Sequence, residues 1–552
     1  MNPFAGKTYG EAIDDLASRY GDRVALRFRG RTWSFADVRN EIERASRALA
    51  RLPLDQGDTI ALWSTNRPEF LWIWLAAARG GLVAALLNTR LKQDEIAYQL
   101  DHSQARAVFV PGAGSYRDFL ADLAVLCPRV VAGRTDAVGA DLPALRAVVS
   151  LDAVPASCPG VIRWSVEPSQ GNALPDATDA SAPAKIIYTS GTTALPKAVQ
   201  LTHCVWRKAF DHGSRFDQTQ DDRLYLCLPL FTVLANVNGV LTFWSRGSSV
   251  VLEERFDAAT MLRDLQQEAC TATYLLPLMV EQLVGHPDFA RADLSKLRTG
   301  IVATSDPVIL EMAIGRLGMR GMIASYGMTE TSSAVTRTFA TDPVEVRLHT
   351  QGRPLPDIEV RIADPDTNAP LPAGTLGEIQ VRAYCITPGY FRNPEATRAA
   401  RTADGWFKTG DSARLGEDGN LRFERRLGDG YKHKGFLVSS AEVEAVLAKH
   451  PDVAACAILG IPDTTCGEVG VAFVVPKPGS VCDQETILGF LRPLVASYKL
   501  PWHVFTIGEL PRTEGTARVQ KYRLKAIALD ALAGGVVNTR ATAGQQSVTG
   551  RP

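Results

Sequence analysis

The sequence predicts an α/β protein with a large N-terminal domain, made of two layered α/β subdomains and a small β-rich subdomain, and a small mobile α+β C-terminal domain. The chain has 552 residues, which is too long for one ordinary domain. Apolar helical stretches alternate with short strand-like runs through much of it, a pattern typical of parallel sheets covered by helices. From about residue 350 to residue 425 the pattern changes to short alternating strands and turns.

The first α/β subdomain is indicated by strand-like runs at residues 23–28, 59–63, 81–87 and 105–110. The most apolar segment, residues 70–87, is interrupted by Arg79 and by a pair of glycines. A membrane span needs about 20 consecutive apolar residues, so we expect a buried helix, a turn and a buried strand here. Residues 112–114 begin like a dinucleotide-binding fingerprint, but Arg117 replaces its third glycine, which disfavours a nicotinamide site.

Changes of composition indicate the remaining boundaries. Residues 151–184 are rich in Pro, Ala, Ser and Asp, and we interpret them as a connecting segment. A second α/β subdomain follows, with strand-like runs at residues 223–228, 249–252 and 271–275. We predict an N-terminal domain over residues 1–428, a C-terminal lid domain over residues 429–530 and a disordered tail over residues 531–552.

The composition favours a small-molecule partner in the cytoplasm. Basic and acidic residues number 60 each, so no net charge attracts nucleic acid or an anionic membrane. Nine dispersed cysteines indicate free thiols in a reducing compartment, and no histidine or cysteine cluster has metal-ligand spacing. The N-terminus carries acidic residues where a signal peptide needs an apolar core. The oligomeric state stays open, with a homodimer as one candidate.

Residues 188–199, YTSGTTALPKAV, are predicted to clamp a polyphosphate. Four hydroxyl side chains surround Gly191 and are followed by Lys197, so the loop offers hydroxyl donors, backbone N–H groups and one cation. The apolar run before it, residues 184–188, is typical of a buried strand. The P-loop of nucleoside triphosphatases needs a glycine before the lysine and Ser or Thr after it, where this chain has Pro196 and Ala198. A Ser/Thr-rich surface loop is the alternative.

Two further motifs suit a nucleotide. Residues 324–332, ASYGMTETS, provide the ring of Tyr326 to stack on a base, a close backbone approach at Gly327 and the carboxylate of Glu330 for a divalent cation. The alternative is a turn with an exposed acid. Residues 405–411, GWFKTGD, end in Asp411, whose two carboxylate oxygens can accept both ribose hydroxyls.

These motifs resemble those of the adenylate-forming superfamily, which includes acyl-CoA synthetases, luciferases and peptide-synthetase adenylation domains. The family commonly has YTSGTTGxPKGV, and this chain departs from it at Ala194 and Ala198. Its YGxTE motif is matched without departures, and GWxxTGD and the hinge motif RxxDxIKxxG resemble residues 405–411 and 426–435. The resemblance covers nearly the whole ordered chain.

The resemblance implies roles for particular residues. The implied catalytic residues are Lys197, Thr329 near the α-phosphate, Glu330 as the Mg²⁺ ligand, Arg426 at ribose and phosphate, and Arg518. The implied cofactor-binding residues are Thr189, Ser190, Gly191, Thr192, Thr193, Ser325, Tyr326, Gly327, Asp411, Phe423, Lys434 and Gly435. Tyr326 would lie beside the adenine, Gly435 would line the thiol tunnel, and Asp429 with Gly430 would form the hinge between the domains.

The resemblance also outlines an acyl pocket. Its wall would include Phe231, Thr232, Asn236, Ala303 and Met328. A lining that is mostly apolar favours an apolar acyl or aryl acid over an amino acid, whose ammonium needs a carboxylate partner.

Three departures from the family bear on substrate and rate. Arg518 stands where the family usually has a catalytic lysine, with Lys521 as a second candidate for that role. Arg keeps the charge but replaces a compact ammonium with a wide planar group. Thr304 and Thr232 replace a frequent glycine beside the adenine and a frequent histidine at the acyl pocket.

We therefore expect an acid–thiol ligase that makes acyl-CoA from a carboxylic acid, ATP and coenzyme A through an acyl-adenylate, with Mg²⁺. Medium-chain fatty acyl-CoA ligases have the most similar motifs. Two alternatives stay open: transfer of the acyl group to an amine or a carrier-protein thiol, and a degenerate homologue that only binds nucleotide or acyl ligand.

Overall fold

The computed structural model describes residues 2–112, 115–133, 142–167, 171–189, 195–365, 367–426, 430–511, 519 and 521–533. The chain divides into two compact units, one built on residues 1–189 and 197–427 and the other on residues from 428 onward. In chain order the α-helices are α1 Tyr9–Tyr20, α2 Phe35–Leu49, α3 Pro68–Arg79, α4 Gln93–His102, α5 Phe119–Leu126, α6 Pro128–Val131, α7 Val205–Gly213, α8 Thr242–Trp244, α9 Ala258–Gln267, α10 Pro277–Val284, α11 Pro307–Gly315, α12 Val344–His349, α13 Pro394–Ala399, α14 Ser440–Leu447, α15 Gln484–Leu491 and α16 Lys521–Ala533. A π-helix spans Leu234–Leu241, and 3₁₀ turns span Pro287–Arg291, Thr329–Thr331 and Ser497–Lys499.

The strands alternate with these helices along the first unit and continue through the second. They are β1 Val24–Phe28, β2 Arg31–Ser34, β3 Thr59–Leu62, β4 Val83–Leu86, β5 Ala105–Val110, β6 Ala147–Ser150, β7 Ile162–Arg163, β8 Pro183–Thr189, β9 Lys197–Thr202, β10 Arg223–Leu226, β11 Ser249–Leu252, β12 Ala272–Leu275, β13 Thr299–Val302, β14 Gly321–Ile323, β15 Ser325–Met328, β16 Ser333–Arg337, β17 Arg353–Pro354, β18 Ile358–Ala363, β19 Gly377–Ala383, β20 Phe407–Leu415, β21 Leu421–Arg426, β22 Gly430–His433, β23 Phe436–Ser439, β24 Val453–Asp463, β25 Gly467–Pro476 and β26 His503–Thr506.

Two mainly parallel sheets form the first unit's α/β layers. In the described part of the chain each has seven strands, in the orders β7-β6-β5-β3-β4-β8-β9 and β14-β13-β12-β10-β11-β1-β2. One pair in each sheet is antiparallel, β8 with β9 and β1 with β2. The pairing of β8 with β9 sets Thr189 opposite Lys197, so the two ends of the predicted phosphate loop lie side by side. These sheets and the small second unit confirm the predicted fold class. The assignment of residues 23–28 to the first subdomain was wrong, because β1 pairs with β11 and so belongs to the second sheet.

The most apolar segment folds as the sequence indicated. Its helix α3 is buried from Phe70 to Ala78, and a turn at Gly80 and Gly81 leads to β4 inside the sheet. Gly81 has a φ of +71°, a conformation that a residue without a Cβ adopts at little cost. Among the described residues, no helix has the length and apolar character needed to cross a membrane.

The β-rich part of the first unit is antiparallel. Strands β18, β19, β20 and β21 pair in that order, each antiparallel to its neighbour. A second antiparallel sheet joins β15, β16 and β17. The sequence indicated that Tyr326 and Gly327 follow a strand end, whereas both lie inside β15, because β16 returns alongside and pairs with them.

The second unit is a mixed sheet packed with helices. Its order is β23-β22-β25-β24, and β26 adds to β25 in parallel. The two-residue turn between β22 and β23 is Lys434 and Gly435, with φ values of 49° and 82°. Two consecutive positive φ values are typical of a type I′ hairpin turn. The last helix, α16, ends at Ala533, three residues past the point where the sequence indicated that order ends.

Lys185 is a buried cation in the core of the first unit. It lies on β8, is 0% exposed, and its Nζ donates to Oδ1 of Asn236 at 2.7 Å. The same ammonium lies 4.7 Å from the ring centroid of Trp74. Burial is the main cause that lowers the pKa of Lys185 to about 7. The folded protein therefore holds this proton less tightly than the unfolded chain does.

We expect Lys185→Met to stabilise the protein at pH 7 by more than at pH 9. Between pH 7 and the ordinary lysine pKa of 10.5 the unfolded chain binds a proton that the folded protein does not. Wild-type stability should therefore rise with pH in this range, by up to about 1.4 kcal/mol per unit. Methionine removes this dependence and the cost of burying the charge. Thermal midpoints of both proteins at pH 7 and pH 9 give the difference. Lys296→Met, at an exposed lysine, is the control. An equal difference at both pH values would contradict the assignment.

Candidate active site

Glu330 lies at the centre of the candidate site. It belongs to the 3₁₀ turn that joins β15 to β16 and is only 5% exposed. Its Oε1 accepts a hydrogen bond from the hydroxyl of Tyr390 at 3.1 Å, and its backbone carbonyl accepts from the N–H of Thr387 at 2.7 Å. A segment about 60 residues later in the sequence therefore holds the carboxylate in place.

Lys197 reaches the same tyrosine from the other side. It begins β9, and its Nζ lies 4.9 Å from the ring centroid of Tyr390. Strand β9 is attached to this segment, because the N–H of Phe391 donates to the carbonyl of Ala198 at 2.8 Å and the hydroxyl of Thr387 donates to that of Gln200 at 2.7 Å. Tyr390 thus connects the predicted phosphate lysine with the predicted metal ligand.

Tyr390 is a site residue that sequence reasoning missed. It is 7% exposed and lies in the segment TPGYFRNP, which we assigned no role. Its aromatic ring and the preceding glycine are common features of loops, so the local sequence carries no signal for a catalytic neighbour. Only the contact with Glu330 identifies it.

A second part of the site joins Tyr326 to Asp411. The hydroxyl of Tyr326 donates to Oδ2 of Asp411 at 2.8 Å, and both residues are 7% exposed. The rings of Tyr326 and Phe423 are stacked, with centroids 5.9 Å apart and planes at 22°. Asp411 lies on β20, where its Cα pairs with that of Arg426 on β21. The predicted ribose ligand, the predicted adenine neighbour and Phe423 therefore form one cluster.

The β15–β16 hairpin brings the two parts together. Tyr326 and Glu330 are four residues apart on it. Gly327 allows the strands to approach closely, because a Cβ there would lie 2.3 Å from the Cα of Ala334. Ser332 and Ser333 follow with φ values of 54° and 101°, which are costly for residues other than glycine. Their hydroxyls donate to the carbonyl of Cys385 at 2.7 Å and to Oδ1 of Asn238, respectively.

The predicted pocket residues lie on neighbouring elements of the first unit. Phe231 is buried in the core, Ala303 follows β13, and Met328 ends β15. The hydroxyl of Thr232 accepts from the N–H of Ala235 at 3.3 Å, next to the π-helix. The side chain of Asn236 forms hydrogen bonds within the core. Its Oδ1 accepts from Lys185, and its Nδ2 donates to the carbonyl of Leu230 at 3.0 Å.

Several predicted site residues lie outside the described residues: Ser190, Gly191, Thr192, Thr193, Asp429, Arg518 and the side chain of Arg426. The structure places Thr189 at the end of β8, Ser325 at the start of β15 and Thr329 beside Glu330. In the second unit, Lys434 lies with its Nζ 5.8 Å from the ring centroid of Trp502. Lys521, the second candidate for the catalytic lysine, pairs with Glu444 at 2.7 Å.

Comparison with known proteins agrees with this geometry. Residues 13–391 match the family of AMP-binding enzymes, and residues 442–515 match the C-terminal domain of AMP-binding enzymes. The chain belongs to the AMP-binding, adenylate-forming enzyme family. Within this family it resembles proteins named as acyl-CoA ligases as well as one that makes amide bonds.

Three such proteins illustrate the range of the family. A medium-chain acyl-CoA ligase of Danio rerio, ACSF2, is 28% identical over 95% of this chain and 89% of its own. A Mycobacterium tuberculosis protein named 3-[(3aS,4S,7aS)-7a-methyl-1,5-dioxo-octahydro-1H-inden-4-yl]propanoyl:CoA ligase is 32% identical over 94% of this chain and 98% of its own. The solved structure of the amide bond synthetase McbA from Marinactinospora thermotolerans matches with a TM-score of 0.80 and 27% identity, covering 94% of this chain and 99% of that one.

We expect Tyr390→Phe to slow acid-dependent release of pyrophosphate from ATP by about ten-fold or more. The change removes the hydroxyl that donates to Glu330 and keeps the ring beside Lys197. A hydrogen bond to a charged group contributes about 1.5–3 kcal/mol, and about 1.4 kcal/mol corresponds to a factor of ten in rate. Initial rates at saturating ATP measure the effect. Tyr384→Phe, which removes a hydroxyl bonded to Asp211 at 2.9 Å, is the matched control. Equal losses in both variants would refute a specific role for Tyr390.

Proposed function

We propose that the protein is an ATP-dependent carboxylic acid–CoA ligase for fatty or aryl acids, which works through an acyl-adenylate and releases pyrophosphate and AMP. The observation that carries this proposal is the connected set of Lys197, Tyr390 and Glu330, joined through one hairpin to Tyr326 and Asp411. It supplies a cation, a buried acid and a ribose acceptor on adjoining elements. These are the groups that an adenylation reaction requires.

The chemistry follows from the poor reactivity of a carboxylate towards a thiol. A carboxylate oxygen attacks the α-phosphorus of ATP, a new P–O bond forms, and the bond to the β-phosphate oxygen breaks to release pyrophosphate. The acyl-adenylate then has AMP as a good leaving group. The sulfur of coenzyme A attacks its carbonyl carbon and loses a proton, and AMP departs. Lys197 would stabilise the negative charge that spreads over the phosphate oxygens in the first step.

The residues present fit a magnesium ion bound mainly through ATP. Glu330 is a single buried carboxylate, and no group of three potential metal-binding side chains occurs in the part of the chain that the structure describes. Mg²⁺ typically takes one or two carboxylates, substrate phosphates and waters rather than a full protein cage. Glu330 would hold the ion, which when bound neutralises charge on the phosphates.

The remaining site residues would orient the substrates. Asp411 would accept the ribose hydroxyls, and the stacked rings of Tyr326 and Phe423 would lie at the base. Thr189 and the loop that follows it would hold the phosphates. Lys434 and Gly435, at the turn of the β22–β23 hairpin, would contribute to binding coenzyme A.

The acceptor of the acyl group is the main alternative. The likeness to the amide bond synthetase McbA favours an amine as the second candidate acceptor, because that protein shares the fold over 94% of this chain. Similarity to the medium-chain ligase ACSF2 and to the Mycobacterium ligase supports coenzyme A. Their named acids also support an acyl pocket of medium size.

The proposal is tested with the purified full chain, ATP, Mg²⁺ and acids of varied length and aromaticity. Each acid is supplied with coenzyme A, with an amine or with a carrier protein. We expect AMP and an acyl-CoA thioester to appear together with coenzyme A, at rates well above those with the other acceptors. An amide as the main product would support the alternative acceptor. Absence of acid-dependent pyrophosphate release with every acid would refute the proposed function.

We also expect Arg518→Lys to accelerate ATP–pyrophosphate exchange and to change the second half-reaction little. The basis is the sequence, in which an arginine stands where the family usually has a lysine. A lysine ammonium is a compact charge on a flexible stem, so it can approach phosphate and carboxylate oxygens that the wide, rigid guanidinium fits less well. Thioester formation from preformed acyl-adenylate measures the second step. Arg492→Lys, at an exposed position, is the control. An unchanged or lower exchange rate would count against the assignment.

A further inference from the structure

Arg337 is a fully buried cation whose hydrogen-bonding capacity is largely unused. It ends β16 and is 0% exposed, and none of its three guanidinium nitrogens forms a hydrogen bond of ordinary geometry with the described residues. The guanidinium carbon lies 5.3 Å from the ring centroid of Phe216. The hydroxyl of Tyr274 donates to the carbonyl of Asn238 at 2.7 Å, and its oxygen lies close enough to the guanidinium to interact with it as an acceptor.

The groups around Arg337 do not balance its charge. Lys208 and His212, both on α7, are 0% exposed. The ammonium of Lys208 donates to Sγ of Cys385 at 3.0 Å. His212 donates through Nε2 to the carbonyl of Ala334 at 3.2 Å, and its Nδ1 has no partner in the described chain. Burial and then the charges of Arg337 and Lys208 lower the pKa of His212 well below its usual value, so Nδ1 is an unprotonated acceptor.

An arginine in this position requires a counter-group. The guanidinium does not lose its proton in proteins, and a buried charge is strongly destabilising unless it is paired and hydrogen-bonded. Burial lowers the pKa of Arg337 to about 10, and no carboxylate is among the groups that act on it in the described residues. The ring of Phe216 interacts with the cation but uses none of its five N–H donors. Those donors point to an oxygen-bearing ligand.

The location relates this cation to the acyl pocket. Arg337 and Glu330 lie on one hairpin, and the four residue steps from Ser333 to Arg337 span about 13 Å along a strand. Tyr274 lies on β12 opposite Ile301 of β13, the strand that leads to Ala303. Asn238 belongs to the π-helix that follows Thr232. The cluster therefore borders the elements of the proposed pocket, away from the reacting end at Thr329 and Glu330.

We propose that Arg337 binds an oxygen acceptor at the far end of the substrate acid, in the form of a second carboxylate or a ketone. The inference rests on the proposed function and specifies its substrate class. It adds a cationic end to the mostly apolar pocket that the sequence indicated. An acid ending in a methyl group would leave the N–H donors of Arg337 without partners, whereas a far oxygen satisfies them.

The test compares acids of equal chain length that end in a methyl group, a ketone or a second carboxylate, over several chain lengths. For the wild-type enzyme we expect kcat/KM to be at least ten-fold higher for an oxygen-terminated acid than for its methyl-terminated match. Arg337→Met should abolish or reverse this preference, and Arg337→Lys should retain it best for the second carboxylate. The better of the ketone and the carboxylate identifies the natural end group.

Controls separate this inference from the proposed function. Arg347→Met removes another buried arginine, whose donors bond backbone carbonyls of Asp342, Arg320 and Met322, and should leave the preference unchanged. An equal preference in wild type and Arg337→Met, or a wild-type preference for methyl-terminated acids, overturns the inference while the ligase function stands. Should Arg337→Met not fold, the wild-type preference decides alone.

If no acid releases pyrophosphate, the proposed function fails and binding decides the inference. Thermal midpoints are then measured with a medium-chain dicarboxylate and with its monocarboxylate match. A stabilisation by the dicarboxylate that is lost in Arg337→Lys or Arg337→Met supports an anion site. Equal shifts with both acids, or none, overturn it.

Discussion

The close approach of β15 and β16 at Gly327 is the constraint on which the candidate site depends. Backbone atoms of Ser333 and Ala334 occupy the space where a side chain would stand, so the strands pair more tightly than larger residues allow. This hairpin carries Tyr326 towards Asp411 and turns at Glu330 towards Tyr390. One short piece of chain therefore sets the distance between Asp411, the proposed ribose acceptor, and the buried acid Glu330. The positive φ values at Ser332 and Ser333 are the local cost of that turn.

Buried cations are the second feature of the first unit. Lys185 donates to an amide and lies over an aromatic ring, so its charge is costly but has a hydrogen-bond partner. Arg337 differs, because its environment offers a ring and neighbouring positive groups but no carboxylate among the described residues. An unpaired buried charge is costly, and strongly perturbed ionisable groups cluster at functional sites. This difference separates a core lysine from a residue with a role in recognition.

The π-helix links these two environments. Its Asn236 accepts from Lys185, and its Asn238 accepts from Ser333 and bonds Tyr274 through its carbonyl. π-Helical turns are rare and occur frequently at functional sites. Asn236 and Asn238 are two residues apart in this π-helix, and their amide side chains make separate polar contacts. The helix therefore contributes to the core on one side and to the proposed substrate end on the other.

The sequence by itself determined the features that depend on neighbouring residues. The period of apolar residues located most strands of both parallel sheets to within about two residues, and the interruption at Arg79 correctly divided the apolar segment into α3 and β4. The motifs identified Lys197, Glu330, Tyr326 and Asp411 because each stands in a short string with its own chemistry. Only the tertiary structure decided that Tyr390 bonds Glu330, that Asn236 accepts from Lys185 and that Arg337 is buried with no described carboxylate acting on it. These contacts join residues 51 to 60 positions apart or depend on the absence of a neighbour. A local pattern carries no information about either, since burial and pairing are set by how distant elements pack.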